Sequence, residues 1–227
     1  VKFDARSGRF TRIDRAFDGE NYVSTPTDIT EGFKAVFDLE NTETGWMDFS
    51  GGAPSISLVK VSDLDAGRAT MPPQPSEAHK NGVRFLIKLS PASAGEHPPI
   101  REMMSSAKAF VAAIEELDAA YVMAMKAYPE PNKLPVVVLD GLPRMIKTGS
   151  GTKTSTAFSP RFKIVAWANR GDLVYVPKAS MPAKPAAAAA PAQAQASNGS
   201  RPTTGAQPAP APRPAAPAAL GVDPDFG

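Results

Sequence analysis

The sequence predicts a mainly β domain with one long α-helix, arranged as a small β-barrel or sandwich and followed by a disordered C-terminal tail. Three observations carry this expectation. Apolar and polar residues alternate at 32–39, 83–89 and 161–169, which is the period of half-buried strands. One apolar stripe recurs at helical spacing between Met103 and Tyr121. Beyond Lys178 no aromatic residue occurs until Phe226, and Ala and Pro dominate. Such a segment cannot bury enough apolar area to offset chain entropy. The expected organisation is a core over 1–177 with an N-terminal arm at 1–30, a Pro/Ala linker over 178–221 and an acidic tip at 222–227.

The elements follow in order. The arm is rich in Arg, Asp, Gly and Thr, and Phe3, Phe10, Ile13, Phe17 and Tyr22 are placed to tack it onto the core, with room for a strand or two. From Gly32 to Leu39, Phe33, Ala35, Phe37 and Leu39 share one face, and Lys34, Val36, Asp38 and Glu40 the other. The turn residues Asn41 to Gly45 then lead into Trp46–Phe49, which reads as the second strand of a hairpin. Ile56 to Val61 is a third short strand, and 62–81 is irregular, with Pro72, Pro73 and Pro75. Val83, Phe85, Ile87 and Leu89 point inward, leaving Arg84, Leu86 and Lys88 outward. Pro98 and Pro99 suit a helix start. Met103, Ala107, Phe110, Ile114, Leu117 and Tyr121 then predict a helix from about 100 to 127, stopped by Pro129 and Pro131. Its stripe is read as a core face, because one short helix is a poor coiled coil. Leu134–Leu139 is a buried strand, 140–160 a long basic loop or irregular hairpin, Arg161–Asn169 a strand, and Leu173–Val176 a last one.

Composition narrows the chemistry. The chain has no Cys, which removes disulfides, thiolate catalysis and Cys-based zinc sites and suits a reducing cytoplasm. No run of about 20 apolar residues exists to span a membrane, and Val1 to Arg15 is polar and basic, unlike a secretory leader. The net charge of +2 conceals a pattern: residues 1–177 carry 21 basic and 21 acidic side chains, whereas residues 133–170 hold seven basic groups against Asp140 alone. Residues 31–65 lean the other way, with seven acids against Lys34 and Lys60. A neutral total with a basic segment is compatible with a local anion-binding face.

Enzyme signatures are weak. His79 and His97 are the two histidines, and both lie in Pro-containing loops, where loop surface is the simpler reading. The run Gly149-Ser150-Gly151-Thr152-Lys153-Thr154 fails as a phosphate loop, because Thr152 stands where Gly must precede the Lys. It reads instead as a basic loop that could wrap a phosphodiester backbone through Lys147 and Lys153. Glu115, Glu116 and Asp118 read as the solvated face of the helix. No catalytic residue, metal or cofactor is expected.

The strand at 161–169 carries the sharpest expectation. Strict alternation puts Arg161, Lys163, Val165, Trp167 and Asn169 on the outer face, with Arg170 just beyond, and Phe162, Ile164, Ala166 and Ala168 inside. An aromatic plate beside cations is how single-strand binders hold nucleic acid: a base stacks and phosphates are neutralised. Arg84 and Lys88 on a neighbouring strand, and Trp46 on another, extend the expected surface.

The order of parts, a core over 1–177, a low-complexity tail and the tip Val222-Asp223-Pro224-Asp225-Phe226-Gly227, resembles phage and bacterial single-stranded DNA-binding proteins, and the strings Gly45-Trp46-Met47-Asp48-Phe49, Phe85-Leu86-Ile87-Lys88-Leu89 and Phe162-Lys163-Ile164-Val165-Ala166-Trp167 are similar to those of prophage proteins. The resemblance is one of architecture and covers the whole chain. It implies an OB-like β-barrel core, a low-complexity tail, and an acidic tip in which Asp223, Asp225 and Phe226 recruit replication or recombination proteins. It implies a non-enzymatic single-stranded DNA-binding role in phage DNA replication or recombination, in the cytoplasm of a bacterial host, with homo-oligomerisation open. Two other classes stand beside it. One is a phage structural or assembly protein with a Pro/Ala linker; the other is an enzyme whose site is assembled from the loops at 62–81 and 140–160.

Overall fold

Alternating apolar residues drive most of the chain into strands. The computed structural model describes residues 1–51, 53–127, 129, 132–148, 154–176 and 221–226. Among them the strands are β1 (Lys2–Asp4), β2 (Arg9–Phe17), β3 (Tyr22–Asp28), β4 (Lys34–Phe37), β5 (Glu43–Asp48), β6 (Ser55–Lys60), β7 (Lys80–Leu89), β8 (Ile100–Ser105), β9 (Lys133–Leu139), β10 (Arg144–Thr148), β11 (Ser155–Ser159) and β12 (Phe162–Asn169). The helices are α1 (Val61–Asp65), α2 (Pro91–Ala94) and α3 (Lys108–Ala127). The mainly β class expected from the sequence is therefore observed.

The principal sheet has the order β12-β9-β4-β7-β5-β6, with β8 also paired to β7. The expected barrel does not close among the described residues; β12 and β6 stand at opposite ends of the path. The hairpin expected between 32–39 and 46–49 is also absent. β4 and β5 both pair with β7, with Phe37 opposite Ile87 and Glu43 opposite Arg84, so they lie end to end along one edge of it. A 3-10 turn at Leu39–Asn41 absorbs the offset. Gly45 lets the strands crowd where β5 crosses between β6 and β7: its φ is 148°, and a Cβ there would lie 2.2 Å from the Ser57 carbonyl oxygen.

The two faces of the sheet carry different cores. On one, Phe37, Phe85, Ile87 and Val137 meet α3 through Phe110, Ile114, Leu117 and Tyr121, as the helical stripe requires. On the other, Val36, Leu134, Val136, Ala166, Ala168 and Leu173 form a smaller cluster with Phe226. Val36 and Asp38, expected on a polar face, are therefore buried. The helix begins later than its periodicity suggests. Residues 100–105 pair with β7 as strand β8, and Met103 is buried there as a strand residue; non-local pairing overrides the helical spacing. Residues 140–160 supply the hairpin β10–β11, and Leu173–Val176 forms no strand.

The arm is a three-stranded sheet, β1-β2-β3. Phe3 and Phe10 pack with tilted rings 4.9 Å apart and reach the main core through Phe33 and Phe110. Arg12 fixes the middle of β2, donating to the carbonyls of Ser93 and Ala94 at 2.8 and 2.6 Å and to Asp14 at 2.7 Å. Beyond Asp14 the hairpin projects, and Phe17 and Tyr22 are exposed at its end.

Candidate functional site

β12 departs from strict alternation. Ile164 pairs with Val137 but Ala166 pairs with Val136, so Val165 is an extra residue on β12. A bulge of this kind reverses the facing of everything after it. Phe162 and Ile164 face the α3 side as expected, but Trp167 now joins them. It is 3 % exposed, with its ring centroid 6.0 Å from that of Tyr121. The expected stacking plate is thus a core side chain. Trp46 is also committed: its indole N–H donates to the Pro72 carbonyl at 2.7 Å.

The cations divide by the burial of their partners. Arg84, expected outward, is buried and bonds both Glu43 and Glu102. Burial opposes its charge, but the two carboxylates outweigh that and hold the guanidinium above its ordinary pKa. Arg170 bonds Asp38 at 2.9 Å and also Glu40, and Asp38 is fully buried. Pulling either arginine onto a phosphate would strand a buried carboxylate, at a cost of about 3–5 kcal/mol. Lys88 bonds Asp172 at 3.0 Å. Arg161 differs: its partner Asp140 at 2.9 Å is about half exposed, as is Arg161 itself. Such pairs are worth about 0–1 kcal/mol and exchange readily. Lys163 and Lys147 are exposed, and neither has an ion pair among the described residues. Lys153 lies outside the described residues.

The structure adds cations that the strand pattern did not single out. An open cleft of about 1030 Å³ lies between the β1–β2 turn, the start of β4 and the β9–β10 turn, with Arg9 and Lys34 on its walls and Phe33 and Phe158 among its apolar lining. A second cleft, about 640 Å³, shares Leu142 and Pro143 with it and contains Arg144 and Arg161. Arg144 pairs with exposed Glu116 at 3.2 Å, again a weak surface contact. The charge run at 133–170 pointed to Arg144; nothing local in sequence pointed to Arg9.

The tip is seated on the same sheet. The Trp167 N–H donates to the Gly221 carbonyl, and the Asp223 N–H donates to the Trp167 carbonyl, both at 2.9 Å. Val222 thereby forms a parallel bridge with Trp167 on the outer edge of β12. A 3-10 turn over Pro224–Phe226 follows, held by the Asp225 N–H donating to the Asp223 carboxylate at 3.0 Å. Lys34 Nζ meets Asp223 and Asp225 at 2.7 Å each. It also lies 5.8 Å from the centre of the Phe226 ring. Burial opposes the charge of Lys34, but these carboxylates outweigh it and raise its pKa. Phe226 and Asp223 are each 6 % exposed. Burying the Phe ring is worth about 1.5–3 kcal/mol, and each backbone hydrogen bond about 1 kcal/mol. The seat therefore holds the tip without locking it. No sequence signal located this seat, because its ionic partner lies 189 residues away in the acid-leaning segment.

Comparison with protein-family models, with characterised proteins and with solved structures returned no match. Within the described residues no three His, Asp or Glu side chains are grouped to hold a metal ion, and no helix is long and apolar enough to cross a membrane. His79 is not loop surface: it is buried, with Nδ1 2.8 Å from Ser76 Oγ and Nε2 3.1 Å from Ser55 Oγ. These contacts tie the irregular 72–79 segment to β6. His97 Nε2 lies 3.5 Å from Asp14.

Proposed function

We propose that the chain is a non-enzymatic single-stranded DNA-binding protein acting in phage DNA replication or recombination in a bacterial host. Its contact surface runs along the two adjoining clefts and the exposed part of β12. Arg161, Lys163, Arg144 and Lys147 meet the backbone phosphates, and the tip engages replication or recombination proteins when it leaves its seat. The observation that carries the reading is the contrast among the cations. Arg144, Lys147, Arg161 and Lys163 are exposed or weakly paired, so phosphates can replace their partners at little cost, whereas Lys34, also on a cleft wall, is committed to the tip. An OB-like ancestry belongs to the same proposal. It draws on the broken β4–β5 strand shared with β7 and on α3 lying across one face.

The test is anisotropy of labelled oligo-dT at low and high salt. Removing one cation that meets a phosphate should flatten the logarithmic salt slope by about 0.7. An Arg161→Ala/Lys163→Ala variant should therefore reduce the slope by about 1.4. Undetectable or salt-independent binding would overturn the reading.

The arm favours a second reading, a phage structural or assembly protein. β3 is exposed along nearly its whole length, and Phe17 and Tyr22 pair at 5.3 Å at the end of the hairpin. An exposed edge with aromatic residues at its tip is a surface for pairing. Stable homo-oligomers that dissolve on Phe17→Ser/Tyr22→Ser, in a chain with no oligo-dT affinity, would select it.

A further inference from the structure

The seat for the tip is complete without the tip. Lys34 comes from the start of β4, the pairing edge from the backbone of Trp167, and the apolar floor from Val36, Val136, Ala168 and Leu173. What occupies it is a short segment that makes one parallel bridge at Val222 and presents two carboxylates and one aromatic ring in and beside the 3-10 turn that follows. This is strand addition to a sheet edge, in which main-chain bonds give affinity and side-chain pockets give specificity.

Covalent connection is not part of that recognition. Residues 177–220, a stretch of 44, separate Val176 from Gly221. Fully extended, such a stretch reaches about 150 Å. A domain of this size is only about 40 Å across. The contacts of Gly221–Phe226 therefore form equally well on a neighbouring molecule, which is how exchange of an identical element produces dimers.

We propose that the β12 edge with Lys34 is a peptide-binding site for a short acidic segment carrying an aromatic residue, and that its partner in trans is the tip of a second copy of this chain. Within one molecule the tethered tip competes for the site, so self-association rises with protein concentration. The proposal goes beyond nucleic-acid binding and does not depend on it.

Two full-length variants separate seat from tip. Lys34→Glu breaks the seat and keeps the tip. Asp223→Ala/Phe226→Ala breaks the tip and keeps the seat. Each alone should sediment as a monomer at concentrations where their mixture forms a one-to-one complex. A labelled heptapeptide of residues 221–227 should bind the tip variant at least about tenfold more tightly than the wild type, whose own tip competes at high effective concentration. It should bind the Lys34→Glu chain no better than a scrambled peptide. Circular dichroism checks that Lys34→Glu folds, and Lys34→Ala replaces it if not. Charge reversal gives a further readout: Asp223→Lys placed in the Lys34→Glu chain should restore tip docking within that chain and abolish its complex with the tip variant. A mixture that stays monomeric up to millimolar protein, or a peptide that ignores the vacated seat, would overturn the proposal. No nucleic acid enters these measurements, so their failure is distinct from failure of the DNA reading.

Discussion

Arg161 and Arg170 flank the same strand, nine positions apart, and the sequence places both on the expected nucleic-acid-binding face. Their surroundings differ in one respect. Arg161 answers Asp140, about half in water, whereas Arg170 answers Asp38, which has no solvent contact at all. A carboxylate in water has somewhere to go when its partner leaves; a buried one does not. The burial of the acid, more than the exposure of the base, decides whether a cation is free to bind something else. Among the described residues the basic run at 133–170 thus contains both kinds, Arg170 held by a buried acid and Arg144 and Arg161 by exposed ones.

The comparison is broken most sharply at its buried end. Arg170→Ala should cost about 3–5 kcal/mol of stability by leaving Asp38 unpaired, read as a lower urea midpoint. A variant that unfolds like the wild type but loses oligo-dT affinity would place Arg170 among the available cations instead. Trp167→Ala should be of similar size, about 3–5 kcal/mol, because it empties a packed site against Tyr121. A base-stacking Trp would show the opposite pattern, with weakened DNA binding and stability nearly intact.

Smaller effects sharpen the contrast. Phe226→Ala should remove about 1.5–3 kcal/mol of tip attachment. Hydrogen exchange at the Trp167 amide, which is bonded to the Gly221 carbonyl, should then speed up while β9 and β7 stay protected. Attachment should also depend on pH. The Lys34 pKa is raised in the docked state, so its contribution is complete below the ordinary lysine value and fades as pH climbs through the raised one. Peptide affinity for the vacated seat should accordingly hold from neutral into mildly alkaline solution and fall only above that. Smallest of all, Arg161→Ala should move stability by no more than about 0.5 kcal/mol. It should still flatten the salt slope of DNA binding by about 0.7.

Much of the frame was legible in the sequence. Val83, Phe85, Ile87 and Leu89 do line one face, and Phe110, Ile114, Leu117 and Tyr121 do pack as one stripe, because each pattern is local and repeats several times. What escaped was set by partners distant in sequence. Val165 looks like any strand residue, and only pairing against β9 makes it the extra one. Ile100–Ser105 shares its spacing with the helix that follows, and β7 claims it. Lys34 reads as an outward strand cation until Asp223 and Asp225 arrive from the far end of the chain. The candidate site was less legible than the fold for the same reason, since availability depends on which acid each base meets.

The seating of the tip also sets an order of events during synthesis. β12 is finished at Asn169, but Phe226 emerges 57 residues later. At ordinary translation speeds of about 5–20 residues per second, that gap lasts roughly 3–11 s. Throughout it the pairing edge of β12 lacks the segment Gly221–Phe226 that pairs with it in the finished fold. A copy that already carries its tip meets an open seat on a growing neighbour during this interval. If the seat takes a second copy's tip as proposed, the interval in which that tip meets no tethered competitor is timed by the ribosome.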